Sequence, residues 1–125
     1  MKRGHLDIFA SEVDWGQLPD GTRYAKFQTT PEDPSAPIMI LSIFPPGLRI
    51  EPHSHPSNYM EYILSGGQTV GKKTYGAGDV RIVKGGTGYG PIVVSDAGCT
   101  AMIVFENASG TRMDTHPRVK PAPVE

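Results

Sequence analysis

The sequence has a single cysteine, Cys99, so no disulfide bond can form within the chain. Basic and acidic residues nearly balance, for a net charge of -1, and no basic cluster is present, so nucleic acid is not an expected partner. No apolar run is long enough to span a bilayer, so no membrane partner is expected either. Residues 1–5 include two basic side chains but no apolar segment follows, which argues against a signal peptide. These absences predict a soluble, cytoplasmic protein.

Helical periodicity is also scarce. No stretch longer than about ten residues keeps a helical spacing of apolar side chains without glycine or proline, and only residues 12–18 suit a turn of helix. The chain has 15 glycines and 12 prolines, which favours short strands joined by tight turns. Apolar or alternating runs predict strands at 22–29, 38–44, 49–55, 59–65, 68–70, 73–75, 80–83, 92–94 and 100–106. The predicted fold class is all-β, an antiparallel sandwich or barrel with little helix.

A length of 125 residues, of which 38% are hydrophobic, fits one domain with a core of its own. We expect a single domain over residues 1–125, with its core at about 22–106 and a C-terminal tail at 107–125. From Pro117 onward the composition predicts a segment that is poorly ordered or packs on a partner. Two glycines at 66–67 and the sequence Asp-Ala-Gly at 96–98 predict turns between strands.

The spacing of two histidines indicates the chemistry of the chain. Gly47 is followed, after five residues, by His53-Ser-His55 in a stretch with strand character. Because side chains alternate faces along a strand, both imidazoles point the same way, with Cα atoms about 6–7 Å apart. Two imidazoles on one face can bind one metal ion, although in β proteins generally such a pair is more often two histidines with ordinary hydrogen bonds.

Four residues match the first motif of the cupin superfamily, G(X)5HXH(X)3,4E(X)6G, and they are Gly47, His53, His55 and Gly66. The chain resembles this superfamily from about residue 38 to residue 105. Tyr59 stands where the family has its glutamate ligand, and Glu61 follows two residues later on the same strand face. Glu61 is a substitute ligand if the strand shifts or the site is enlarged, and a solvated surface residue if the strand is offset so that its side chain does not point inward.

The second cupin motif, G(X)5PXG(X)2H(X)3N, matches less closely. Gly78 and Gly86 are in place, whereas Lys84 replaces the proline and Val93 replaces the asparagine. Tyr89 takes the position of the ligand histidine. The chain is thus similar to a small, single-domain, RmlC-like cupin with tyrosine in place of the second-motif histidine.

The resemblance implies a jelly-roll β-barrel with a metal held by His53, His55, Glu61 and Tyr89. Two histidines and Glu61 would form the two-His, one-carboxylate set of non-heme Fe(II) oxygenases. Iron is expected first, then zinc, manganese or nickel, with a cupin that lacks metal as the alternative. Tyr59 is either the third ligand or an aromatic of the pocket wall. Tyr89 is a ligand, a proton donor or a second wall aromatic, and ligation as phenolate would need a metal that lowers its pKa from about 10.

The leading hypothesis is a metal-dependent oxygenase for a small organic substrate, with Glu61 or Tyr89 moving the proton. The alternatives are a metal-dependent isomerase or lyase, and a non-catalytic cupin that binds a small ligand without metal. Arg49 and Glu51 share strand parity with the histidines, so they are expected in the substrate pocket, with an exposed salt bridge as the other interpretation. The resemblance also implies a homodimer.

Overall fold

The computed structural model of the chain describes residues 4–115. Its strands are β1 (Gly16–Gln17), β2 (Arg23–Phe27), β3 (Ile38–Phe44), β4 (Arg49–Ile50), β5 (His53–Ser54), β6 (Tyr59–Val70), β7 (Lys73–Gly76), β8 (Val80–Val83), β9 (Ile92–Phe105) and β10 (Asp114–Thr115). Helical structure in the described range consists of two short 3-10 segments, Ala10–Glu12 and Ala108–Thr111. The strand pairs are antiparallel, so the all-β prediction is confirmed. Between residues 4 and 115, no helix has the length and apolar character needed to cross a bilayer.

Two long strands, β6 and β9, belong to both halves of the sandwich. They pair with each other, with shifts of register between Ile63 and Ser65 and between Gly66 and Gln68. Before the shifts, β6 lies between β8 and β9, and the sheet continues from β9 through β3 and β2 to β1. After the shifts, β6 pairs with β7, and the first half of β9 pairs with β4. The chain is therefore an antiparallel β-sandwich of jelly-roll type, as predicted.

The strand predictions differ from the structure mainly at glycines. Predicted bounds match at 38–44 and 80–83, but the turns predicted at 66–67 and 96–98 are wrong, because both lie inside continuous strands. Gly66 and Gly98 have φ angles of 71° and 78°, which bend the strands without ending them. The helical turn predicted at 12–18 is also wrong, since the 3-10 segment comes earlier, at Ala10–Glu12.

Residues 107–115 pack on the sandwich, which corrects the prediction that a tail begins at 107. Strand β10 pairs with β5, so that Asp114 lies opposite Ser54 and Thr115 opposite His53. Residues 116–125, and with them the tail predicted from Pro117, lie outside the described residues. The single-domain assignment and the cytoplasmic location stay predictions.

The interior contains two buried apolar clusters and a group of buried polar side chains. One cluster consists of Ile38, Tyr59 and Phe105, and the other of Ile63, Val94 and Cys99. The buried polar side chains include Ser42, His53, Glu61, Gln68 and Arg81. Because a buried polar group is costly unless it finds a partner, such a concentration inside a small sandwich marks the candidate site.

Candidate functional site

A cavity of about 330 Å³ opens into the interior of the sandwich. Ligand pockets in proteins begin at about 300 Å³, so the cavity suits one small organic molecule. Its polar wall includes His53, His55, Tyr59, Glu61, Gln68, Arg81 and Tyr89. Much of the remaining wall is apolar and includes Ile40, Ile50, Ile92, Ile103 and Phe105.

The two histidines are held in fixed orientations by backbone carbonyl groups. His53 Nδ1 lies 2.8 Å from the Glu51 oxygen, and His55 Nδ1 lies 3.1 Å and 3.0 Å from the oxygens of Thr111 and Arg112. A carbonyl oxygen can only accept a hydrogen bond, so Nδ1 carries the proton in both rings. Each neutral ring therefore has its lone pair on Nε2, and the two rings meet edge to face with centroids 5.0 Å apart.

Burial keeps these imidazoles neutral. It lowers the pKa of His53 and of His55 more than the carbonyl hydrogen bonds raise them, and nearby positive charge adds to the lowering. At His53 that charge is the Arg81 guanidinium, and at His55 it is the charge that His53 would carry if it were protonated. Both Nε2 atoms are consequently acceptors at neutral pH.

We expect the free energy of unfolding to decrease as the pH falls below about 6.5, the pKa of an unfolded histidine. His53 and His55 resist protonation in the folded state, so the unfolded chain binds more protons between that pH and the lower folded pKa values. The loss amounts to at most about 1.4 kcal/mol per pH unit for each histidine, and it is complete below the folded pKa values. Urea denaturation at several pH values measures it.

The matched variants separate these histidines from the other groups that titrate in acid. In the double variant His53→Gln, His55→Gln, the free energy of unfolding should depend less on pH below 6.5. In His5→Gln, at an exposed histidine, its dependence on pH should be that of the wild type. If the double variant keeps the wild-type profile, the two imidazoles are not the cause of the acid sensitivity.

Two tyrosines stand beside the histidines as neutral phenols. The Tyr89 hydroxyl is 3.1 Å from His53 Nε2 and donates to it, because that nitrogen is an acceptor. The backbones of the same two residues exchange hydrogen bonds of 3.1 Å in both directions, which positions the Tyr89 ring. Burial raises the pKa of Tyr89 far above its ordinary value, and it raises that of Tyr59 as well. Both hydroxyls therefore keep their protons.

An ion pair between Glu61 and Arg81 lies in the wall of the cavity. The two residues are direct cross-strand partners on β6 and β8. Glu61 Oε1 accepts hydrogen bonds from Arg81 Nε at 2.9 Å and from Gln68 Nε2 at 2.8 Å. Only 3% of Glu61 and 8% of Arg81 are exposed, so solvent screens this pair little.

The Arg81 guanidinium also contacts both tyrosines. Its Nη2 lies 3.5 Å from the Tyr59 hydroxyl, and its Cζ lies 4.9 Å from the centre of the Tyr89 ring. Burial disfavours the cation, but the Glu61 carboxylate, with smaller contributions from Tyr59 and Tyr89, more than offsets this, so the pKa of Arg81 is raised. Arg81 is thus a permanent positive charge next to the histidines.

The structure does not bring Arg49 and Glu51 to the cavity, so their predicted place in the pocket is corrected. Their side chains form a salt bridge of 2.9 Å at the surface, the other interpretation considered above. Strand β4 ends at Ile50, and the irregular residues before β5 break the alternation on which the prediction relied. As a result Ile50 lines the cavity instead of Arg49.

Comparison with known proteins identifies the fold. No protein-family model matches the chain, and no curated protein matches it. Among solved structures, an RmlC-like cupin from Shewanella frigidimarina NCIMB 400 is 16% identical with a TM-score of 0.69, over 84% of this chain and 93% of that one. The polyketide cyclase RemF from Streptomyces resistomycificus is 15% identical with a TM-score of 0.73, over 89% and 84%. The chain has the cupin fold.

A further match is to a chain in the complex of Rhodobacter sphaeroides SigE with the anti-sigma ChrR, at 23% identity and a TM-score of 0.64. The match covers 78% of this chain, which spans only about half, 51%, of the matched one. Likeness at these identities shows the fold and no activity, so the chemistry of this chain has to be inferred from its own residues.

The described residues of the chain do not fit the predicted two-His, one-carboxylate metal set. Within residues 4–115, no three His, Cys, Asp or Glu side chains are placed to hold a metal ion. The carboxylate of Glu61 accepts hydrogen bonds from Arg81 and Gln68. The positive charge of Arg81 would also repel a metal ion bound nearby. Tyr89 donates to His53 Nε2, the atom that a metal would use. The predicted iron, zinc, manganese or nickel site is therefore not supported.

The sequence interpretation missed the parts played by Arg81 and Gln68. Arg81 is flanked by Val80 and Ile82, so alternation alone does not tell which face of β8 is inside. The structure exposes both apolar neighbours and buries the arginine. One signal could have revealed the buried arginine. Glu61 and Arg81 have opposite charges, each is the charged residue between apolar neighbours on a predicted strand, and such residues stabilise each other when the strands pair.

Proposed function

We propose that this cupin barrel binds a small, neutral, partly apolar organic molecule without a metal, and that the molecule both accepts and donates hydrogen bonds. The observation that carries the proposal is the buried pair of Glu61 and Arg81 in the cavity wall. Similarity to a polyketide cyclase supports a small organic molecule as the ligand. No catalytic step is proposed.

The charge of the cavity favours a neutral ligand. Glu61 and Arg81 cancel each other, and the two histidines, Tyr59 and Tyr89 are uncharged at neutral pH. Lys26, the other charged residue of the lining, is exposed, so solvent screens its charge. An anion is attracted to Arg81 but repelled by Glu61, and a cation the reverse, so either gains little from the pair and is destabilised by the neighbouring like charge and by the loss of its hydration. A neutral molecule avoids both penalties.

The unused hydrogen-bonding groups define what the ligand must present. A guanidinium has five N–H donors, and among residues 4–115 the partners of Arg81 are Glu61 and the Tyr59 hydroxyl. The remaining N–H groups suit a carbonyl oxygen of the ligand. His55 Nε2 is an acceptor on the same cavity, and it suits a ligand N–H or O–H. The apolar wall accommodates the body of the molecule.

A matched pair of probes tests the proposal. 2-Naphthamide carries a carbonyl and an N–H group without charge, whereas 2-naphthoate has nearly the same shape and a negative charge. We expect the amide to bind at least about tenfold more tightly, a difference of about 1.4 kcal/mol, as measured by calorimetry and by thermal shift. Arg81→Met should weaken amide binding, whereas Arg49→Met, at the exposed pair, should not.

The outcomes separate two ways in which the proposal can be wrong. Tighter binding of the naphthoate would contradict the preference for a neutral ligand, but it would still show that the cavity binds a small molecule. No binding by either probe, or by a set of related amides, phenols and carboxylic acids, would contradict the binding function itself.

A metal-dependent oxygenase is the second candidate, and one observation favours it. Histidines that bind a metal usually donate their other N–H to a carbonyl or carboxylate, as His53 and His55 do through Nδ1. Metal analysis of protein purified without tag or chelator decides between the candidates. Nearly stoichiometric metal that disappears in the His53→Ala, His55→Ala variant would favour the oxygenase over the metal-free pocket.

A further inference from the structure

The buried ion pair in the cavity wall uses only one oxygen of its carboxylate. Arginine and a carboxylate frequently pair through two parallel hydrogen bonds. Here Arg81 donates through Nε to Glu61 Oε1 at 2.9 Å, and Gln68 donates to the same oxygen at 2.8 Å. Among residues 4–115, the second oxygen, Oε2, receives no hydrogen bond, although Glu61 is buried. Because a buried carboxylate oxygen is costly without a donor, Oε2 is an acceptor that a ligand can satisfy.

Gln68 places a second acceptor in the same wall. The residue is 2% exposed and lines the cavity. Its Nε2 faces the carboxylate, because an amide oxygen in that place would meet another acceptor. Within the part of the chain that the structure describes, the amide oxygen of Gln68 has no donor. This wall therefore combines two buried acceptor oxygens with further N–H donors of Arg81.

We infer that the ligand is a lactam, a cyclic amide, and this inference rests on the function proposed above. The lactam carbonyl accepts a hydrogen bond from an Nη group of Arg81, and the adjacent N–H donates to Glu61 Oε2. Both partners belong to one ion pair, so the ligand has to present its acceptor and its donor on one edge. An open-chain secondary amide is planar and trans, which points its N–H away from its carbonyl. A small ring holds the amide cis, so the two groups lie side by side.

The cavity wall next to the ion pair is apolar and fits the body of such a ligand. Ile40, Ile103, Glu61 and Arg81 are successive cross-strand partners on four neighbouring strands, and all four line the cavity. Strands lie about 4.8 Å apart, so the two isoleucines extend an apolar surface about 10 Å beyond Glu61. A lactam fused to an aromatic ring can place its amide edge on the ion pair and its rings on Ile103 and Ile40.

Two probes of the same shape test the inference. The lactam 1-isoquinolone and the lactone isocoumarin share a two-ring skeleton and a carbonyl, but a ring oxygen replaces the N–H in isocoumarin. That oxygen is an acceptor facing the acceptor of Glu61, and a site built to bind an N–H rejects such an analogue. We expect calorimetry to show at least about tenfold tighter binding of 1-isoquinolone. Its N-methyl derivative, which lacks the N–H, should bind as weakly as isocoumarin.

The variant Glu61→Gln assigns this preference to the carboxylate. The new amide can donate as well as accept, so the lactam should bind less than about threefold more tightly than the lactone. Glu51→Gln, at the exposed pair, is the matched control and should keep the wild-type preference. Thermal melting shows whether each variant is folded. If Glu61→Gln does not fold, the three probes on the wild-type chain still decide.

The outcomes separate this inference from the function on which it rests. Equal binding of 1-isoquinolone and isocoumarin would overturn the lactam and leave a site for small neutral molecules. Binding of 2-naphthamide without binding of 1-isoquinolone would do the same, as would a folded Glu61→Gln that keeps the wild-type preference. If none of these probes binds, the proposed function fails and the lactam fails with it.

Discussion

Replacement of Arg81 by methionine is expected to lower the free energy of unfolding by about 3–5 kcal/mol. The substitution leaves the Glu61 carboxylate 3% exposed and without its cation, and breaking a buried pair in this way costs more than the pair contributes. Gln68 alone then remains as its donor. Guanidinium denaturation, compared with wild type at an equal denaturant slope, gives the difference.

The exposed pair of Arg49 and Glu51 is the internal control. Its nitrogen and oxygen are also 2.9 Å apart, but both side chains are in solvent, so Arg49→Met should cost less than about 1 kcal/mol. Combining Arg81→Met with Glu61→Leu should recover much of the loss, because no unpaired charge remains. Equal effects of Arg81→Met and Arg49→Met would show that the interior pair is screened by water after all.

The second large effect is expected for Gly66→Ala. A Cβ at Gly66 would collide with the carbonyl oxygen of Gly98 and come within 2.7 Å of its carbonyl carbon, and φ is +71°. Left-handed strain costs about 1–3 kcal/mol and overpacking about 1–3 kcal/mol more. The variant should lose about 2–6 kcal/mol, which is enough to prevent folding of a marginally stable domain.

Gly47→Ala distinguishes the collision from the backbone strain. Gly47 has almost the same conformation, with φ of +73°, but no atom of the described residues lies within 4 Å of the point that a Cβ would occupy there. Only the strain applies at this position, so the loss should be about 1–3 kcal/mol. If both variants lose the same amount, the close approach between β6 and β9 at Gly66 is not a constraint on the fold.

Local patterns were sufficient to predict five of the polar residues that line the cavity. Alternation along β6 and the spacing of the first motif indicated that His53, His55, Tyr59 and Glu61 face one way, and Tyr89 was found from the second motif. All five line the cavity. These residues lie in regular segments or match a motif, where side-chain direction follows from position.

The sequence could not predict what depends on irregular backbone or distant pairing. The break before β5 turned Arg49 and Glu51 outward. The partner of Glu61 is Arg81, and their meeting depends on the register between β6 and β8, which hydrophobic alternation does not specify when both faces carry apolar residues. Because of this pairing, Glu61, which was predicted to bind a metal, forms an ion pair with Arg81.

The hydrogen bonds from His55 to Thr111 and Arg112 determine how late in folding the cavity is completed. They join positions 56 and 57 residues apart, and β10 closes on β5 across a similar distance. Contacts of such long sequence separation form late, because the loop entropy must be overcome first. During synthesis, the cavity is incomplete until residue 115 has left the ribosome, so a molecule that binds there can stabilise the finished barrel but cannot guide its early folding.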